Sequence, residues 1–317
     1  MRAVLLPIPS SLFPFHMTDL IHHLDKSEAE IFKHADELIA GSLAFQHTNS
    51  TLAKAALCIR TLGGFRVWRA GGELPATAWT REKAIHLIQL FVTLRRQYLH
   101  KEQIIDRLWP ELDQDKGDRD FKVALNAVNK ALEPDRPPRV EPRFVQRHGL
   151  AYGLDLTDVW LDTEAFEELI TIGNQLLQNA TINEKAAEAL TQQGIACYQT
   201  AVSLYIGDYL PERRYEDWTS AERERLQVLA LGAMTTLAQL LLTQTPLESI
   251  RLTQRVLTID PVWEDAYRVQ MQAYAAQGNR PLALRTYEQC VQKLEEEFEI
   301  EPLPETMELY EQIQRQG

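Results

Sequence analysis

Between residues 57 and 154 the hydrophobic pattern changes period twice, and that order leaves few folds open. LCIRTLGGFRVWRAGGEL (57–74) alternates around Ile59, Leu62, Phe65 and Val67, punctuated by Gly63-Gly64 and Gly71-Gly72, which predicts short antiparallel strands. The period then lengthens. TREKAIHLIQLFVTLRRQ carries Ala84, Leu87, Ile88, Phe91 and Leu94 three or four apart, with Thr80 expected as the N-cap. HKEQIIDRLWP reads as a second, shorter helix closed by Pro110, and DRDFKVALNAVNKALEP (118–134) as a third, closed by Pro134. RFVQRHGLAYGLDL alternates again around Arg147-His148-Gly149, the pattern of a β-hairpin.

From residue 160 onward everything reads helical. In WEDAYRVQMQAYAAQGNRPLALRTYEQCVQKLEEEFEIEP two amphipathic stretches meet at Gly278-Asn279. A unit of helix, tight turn and helix of about 34 residues has the tetratricopeptide period, and such units stack into arrays that offer a groove to partners. PLESIRLTQRVLTIDP has the same character. Residues 1–56 show helical spacing at Leu20, Ile21, Leu24, Ile31, Leu38 and Ile39, which predicts one or two helices, and carry no recognisable site motif. Three parts are therefore expected: 1–56, 57–155 and 156–317.

The formal charge of −12 is unevenly spread. Residues 57–154 hold 17 Lys and Arg against 12 Asp and Glu, a net of +5, whereas 155–317 hold 12 against 27, a net of −15. Within the basic segment, the third helix places Phe121, Ala124, Leu125, Val128 and Leu132 on a stripe to be buried. Lys122, Asn126 and Asn129 follow the same spacing on another side, with Lys130 beside them. Taken alone, such a face is ordinarily just solvated. Its context changes the reading, because three helices followed by a hairpin with a basic tip form a winged helix-turn-helix. Lys and Asn can reach base edges in a major groove, and Arg147 with His148 would sit at the wing tip, along the phosphate backbone or in the minor groove. His100 and Lys101 would face phosphates from the start of the second helix. Lys116 and Arg119 are expected in the loop entering the third, whose N-terminus itself favours a phosphate.

These segments resemble a known family. LCIRTLGGFRVWRAG, REKA, LHKEQIIDRLWP, ALNAVNKAL and the Gly-x-x-Tyr-Gly hairpin are similar to the OmpR-type winged helix of the AfsR/SARP regulators. LDTEAFEELI, AVSLYIGDYLPERRYEDWTSAERERLQ, RVLTIDPVWEDAYRVQMQAYAAQGNRPLALRTYEQC and LEEEFEIEPLPETMELY resemble the bacterial transcriptional activation domain that follows it. The resemblance implies a mostly α chain: a winged helix-turn-helix with small β-sheets, then an all-α tetratricopeptide-like domain. It also implies a transcription regulator that binds double-stranded DNA at direct repeats, as a homodimer or tandem pair, and contacts RNA polymerase through its helical domain. Two departures stand out. The family's Arg-rich recognition helix is here LNAVNKAL, with Asn129 and Lys130 in place of an Arg pair, which weakens phosphate attraction. The GxxxxGK[ST] loop of the ATPase module carried by larger relatives is absent from the sequence.

Other classes find little support. There is no HExxH, GxSxG or CxxC, and LGGF lacks the helix that a dinucleotide loop needs, so no catalytic site and no cofactor are expected. His22-His23 lacks a third ligand at metal spacing. Glu295-Glu296-Glu297 reads as a solvated helix end, and Trp109 and Trp218 as packing anchors. Cys58, Cys197 and Cys290 are odd in number and far apart, which suits buried thiols in a reducing cytoplasm. No apolar run reaches the roughly 18–20 residues of a membrane span. The alternative to a DNA-reading regulator is an interaction adaptor whose winged helix and helical array both bind protein.

Overall fold

The structure, a computed structural model, describes residues 24–48, 55–69 and 72–315. Leu20, Ile21 and His22-His23 lie outside the described residues. A single helix, α1 (Lys26–Thr48), comes first, followed by β1 (Leu57–Arg60), β2 (Arg66–Arg69) and β3 (Gly72–Glu73). The winged-helix elements follow as α2 (Glu82–Thr93), β4 (Leu99–His100), α3 (Lys101–Leu108), α4 (Gln114–Leu132), β5 (Val145–His148) and β6 (Ala151–Leu154). After β7 (Val159–Leu161) the rest is helical: α5 (Asp162–Ile182), α6 (Ala187–Leu204), α7 (Asp217–Leu241), α8 (Pro246–Ile259), α9 (Glu264–Ala276), α10 (Arg280–Phe298) and α11 (Pro304–Arg315). The chain is thus mostly α, with a winged helix-turn-helix in front of a tetratricopeptide-like array.

Two sheets frame the first part. β3-β2-β1 is antiparallel, as the alternation predicts. A fourth strand joins it that the sequence does not announce: β7 pairs parallel to β1, with Leu57 opposite Val159 and Ile59 opposite Leu161. The second sheet runs β4-β6-β5, with His148 opposite Ala151 at the hairpin end. Between the sheets α2, α3 and α4 bury Leu87, Phe91, Ile104, Phe121, Val128 and Leu132 in one core. α2 starts one residue later than Thr80 would have it. Arg81 holds the cap position in an extended conformation without a side-chain cap, and its carbonyl accepts from Ala84 N at 3.1 Å.

α3 stops at Trp109 because Pro110 follows. α4 begins at Gln114, several residues before the apolar stripe. The acidic stretch before that stripe is not a loop: Asp113 is the N-cap, its Oδ1 accepting from Lys116 N at 3.0 Å. Gly117 sits in the first turns of α4 because Ile105 of α3 crosses there; a Cβ on it would stand 2.5 Å from Ile105 Cγ2. This close approach sets the angle of the helix-turn-helix pair.

The acidic helices form a second core with α1, whose Phe32 and Ala35 pack among Phe166, Leu169, Tyr198 and Ala201. Farther along, Phe45 inserts between Trp68 of β2, at 4.8 Å, and Trp160 of β7, at 4.2 Å. Asn279 N-caps α10 after the turn at Gly278 (φ 71), as the helix–turn–helix spacing requires.

The two cores are locked together by polar contacts. Asp162, fully buried at the head of α5, accepts from Thr61 N (2.8 Å), Thr61 Oγ1 (2.7 Å), Leu62 N (2.7 Å) and Thr163 N (2.9 Å). Burial pushes its carboxyl up from the ordinary aspartate value while these donors pull it down. The loop after α6 docks on the β1–β2 turn: Gly63 N donates to Asp208 O and Leu210 N to Thr61 O. Gly63 has φ +78, and a Cβ on Gly207 would stand 3.1 Å from its Cα, so two glycines make that approach. Just past α2, the Arg95 side chain, 4% exposed, donates to Glu164 and Glu167 of α5 and Glu222 of α7. Arg225 bonds Glu167 and Glu222 at 2.7 and 2.8 Å. Phe65 and Trp218 pack against both cores.

Two outcomes follow. Burial alone would raise Glu164 and Glu222, but hydrogen bonds from Arg95 to both, and from Arg225 to Glu222, hold them below the ordinary glutamate value. Carboxyls depressed on folding add stability above their unfolded value and lose it as pH falls through the folded one. Arg95→Ala should therefore cost about 3–5 kcal/mol near neutrality in urea unfolding, with a penalty that shrinks as pH falls below about 4.3. Gly117→Ala should destabilise by about 1–3 kcal/mol through overpacking against Ile105, although alanine is the better helix former. An unchanged urea midpoint would show that α3 yields at that crossing.

Candidate nucleic-acid interface

The exposed side of α4 is narrower than the spacing suggests. Phe121, Ala124, Val128 and Leu132 are buried as predicted, and Leu125 is half-buried. Asn129 is also buried, at 6% exposure, which removes it from the surface face. Its position explains this: on a helix, residues four apart share a side, and Asn129 continues the row Phe121–Leu125 into the core. Its Oδ1 has no hydrogen-bond partner among the described residues. What remains on the surface is the row Lys122–Asn126–Lys130, all exposed and spaced by four. Among the described residues none of these three side chains makes a hydrogen bond or ion pair.

The flanking cations behave differently. Lys101 does not stand free: its Nζ lies 2.6 Å from Asp118 Oδ2, and the two side chains are 19% and 29% exposed. This pair ties the start of α3 to α4. His100, exposed at the cap of α3, has its backbone N–H donating to Gln103 Oε1 at 3.0 Å and its Nδ1 3.4 Å from Glu102. Lys116 and Arg119 lie within α4 rather than in a loop before it. Lys116 pairs with Asp113 at 2.7 Å, and Arg119 Nε donates to Asp120 at 3.3 Å. The N-terminus of α4 is also no open phosphate seat. The Lys116 side chain and backbone N–H hold the Asp113 carboxyl below its ordinary value, so a negative charge already occupies that end.

The wing is braced by aromatic contacts. Gly149 (φ 64) turns the hairpin, and Arg147 Nε donates to its carbonyl at 2.7 Å. The Arg147 guanidinium lies 5.8 Å over the Tyr152 ring, and Tyr152 meets Phe121 of α4 edge-on at 5.0 Å. His148 packs on Tyr98 at 4.3 Å. Arg147 and His148 therefore present their polar ends from a hairpin seated on the same Phe121 that fixes α4. Leu150, at the tip and 51% exposed, is a residue the sequence reading passed over. Its signal was available: an apolar side chain in a turn position, where no core can reach it.

Elsewhere the chemistry is quiet. Burial pushes the Cys58 thiol up to about 11 and those of Cys197 and Cys290 up to about 12, with Asp36 and Glu264 adding to the last two, so all three stay protonated near neutrality. Among the described residues no group of three or more His, Cys, Asp or Glu side chains is placed to hold a metal ion, and no described helix is long and apolar enough to cross a membrane.

Residues 161–314 match the family model of the bacterial transcriptional activator domain. The fold is similar to that of Mycobacterium tuberculosis EmbR, solved in complex with a low-affinity phosphopeptide, with a TM-score of 0.70 and 19% sequence identity over 83% of this chain. The match spans 66% of that chain, and at that identity the likeness is one of fold. No curated protein matches the chain. A winged helix thus stands in front of a segment that matches the bacterial transcriptional activator domain.

Proposed function

We propose that the chain is an AfsR/SARP-type transcription regulator that reads double-stranded DNA, with α4 in the major groove and the β5–β6 wing on the adjacent backbone. The unpaired row Lys122–Asn126–Lys130 is the observation that carries this reading. From Lys122 to Lys130 eight helical steps of about 1.5 Å each span about 12 Å, close to the width of a B-DNA major groove. Asn126 at the centre offers both a donor and an acceptor to a base edge, and the lysines on either side reach bases or phosphates. Arg147, His148 and the exposed Leu150 supply the wing contacts. A homodimer or tandem pair on direct repeats, and RNA polymerase contacted by the acidic helices, complete the proposal.

The adaptor reading draws on one observation. Lys101, Lys116 and Arg119 are all matched by aspartates on or beside α4, which lowers the positive field there. Selection of fragmented genomic DNA on the purified chain, at about 50 and 200 mM salt, separates the two readings. A repeated motif enriched at both salts supports DNA reading; no enrichment at either moves the assignment to a protein partner.

Substitutions refine the test. Lys122→Ala and Asn126→Ala should each cost about 1–3 kcal/mol of binding to the selected motif. Asn129→Leu should leave the motif unchanged, since its side chain points into the core; a shifted motif would return Asn129 to the reading face. Arg147→Ala should weaken selected and random duplexes alike and lower the salt slope by about one, as measured by anisotropy titrations.

A further inference from the structure

The helical array carries a second surface that a DNA contact does not use. α8, α9 and α10 enclose a groove of about 580 Å³. Its lining differs in charge from the domain around it. Residues 155–317 hold 27 Asp and Glu against 12 Lys and Arg, yet the residues lining this groove include Arg285 and Lys293 and not one carboxylate. Arg285 is exposed and unpaired among the described residues. Lys293 bonds Glu296 at 2.6 Å, one turn beyond the groove.

Amides fill much of the rest. Gln254 of α8 and Gln289 of α10 face the groove from opposite sides, and their side chains make no hydrogen bond among the described residues. Gln270 of α9 lies between them with only 5% exposure, and its amide also lacks a partner among the described residues. Although the residue is largely buried, its amide atoms are not enclosed, so they open into the groove where an occupant can pair with them. Three carboxamides across a trough, each able to donate and accept, match the alternating N–H and C=O groups of an extended backbone.

We infer that this groove binds an extended acidic peptide segment of a partner protein. Gln254, Gln270 and Gln289 pair with its main chain, and Arg285 and Lys293 with its carboxylates. Charge favours this occupant: an acidic segment would be repelled by most of the domain's surface and accepted here.

The test uses the full chain and an array of random synthetic decapeptides. Bound peptides should be enriched in Asp and Glu, and the best of them should bind Arg285→Ala/Lys293→Ala at least tenfold more weakly in anisotropy titrations. Lys33→Ala/Arg315→Ala, which removes the same charge elsewhere, should leave binding within twofold. Gln270→Leu, which keeps side-chain volume, should also weaken binding at least threefold while the thermal melt shows a folded protein. Bound peptides without acidic enrichment would overturn the inference, as would equal losses in the two double variants. So would self-association that Arg285→Ala/Lys293→Ala abolishes, since the groove would then belong to a second copy of the chain.

Discussion

Arg95 leaves the end of α2 with its guanidinium almost wholly out of water and bonded to three carboxylates that belong to the acidic helices. A buried cation of this kind tolerates little displacement. Moving α5 or α7 away would strand the charge and leave its three carboxylate partners without it, and neither state is cheap. The winged helix and the helical array therefore do not swivel on a linker. Arg225 shares two of the same acids, and Gln89 of α2 bonds both Glu212 and Arg213, so the contact is a network rather than one pair.

Two further ties run through the same junction. Asp162 gathers the backbone of Thr61 and Leu62 at the point where β7 becomes α5, so the strand-to-helix turn of one part is capped by the sheet of the other. α1 then works as a brace along the outside. One end packs into the helical core through Phe32, and the other places Phe45 between two tryptophans of the sheet. A segment with no motif of its own thus has a structural role, visible only once its neighbours are in place.

How far the sequence reveals all this depends on whether the deciding contact is local. The three helices, the hairpin and the Gly278-Asn279 turn follow from periodicity and from prolines and glycines, which act within a few residues. Asn129 could be misread because polarity alone suggested exposure, while its row, four after Leu125 and eight after Phe121, pointed inward. Lys101 looked free because Asp118, which neutralises it, lies seventeen positions on. The early start of α4 turned on Asp113, whose capping role was masked by the acidic residues around it. β7 and the Arg95 network were not readable at all, since each rests on partners roughly 70 to 130 residues away. The exposed row of α4 was legible in Lys122, Asn126 and Lys130 because an exposed row needs no distant partner.

The parallel pairing of β7 with β1 has a consequence for how such a chain can be divided. The match to the activator domain begins at residue 161, the last residue of a strand that completes the sheet of the winged helix. A fragment ending before that strand would bare the backbone of β1 along one side, an open template for pairing with other chains. A fragment starting after it would leave the Asp162 carboxylate without the amides of Thr61 and Leu62. Neither half is whole without a piece of the other. Severing the chain at this seam would therefore leave two pieces, each missing hydrogen-bond partners that the other supplies.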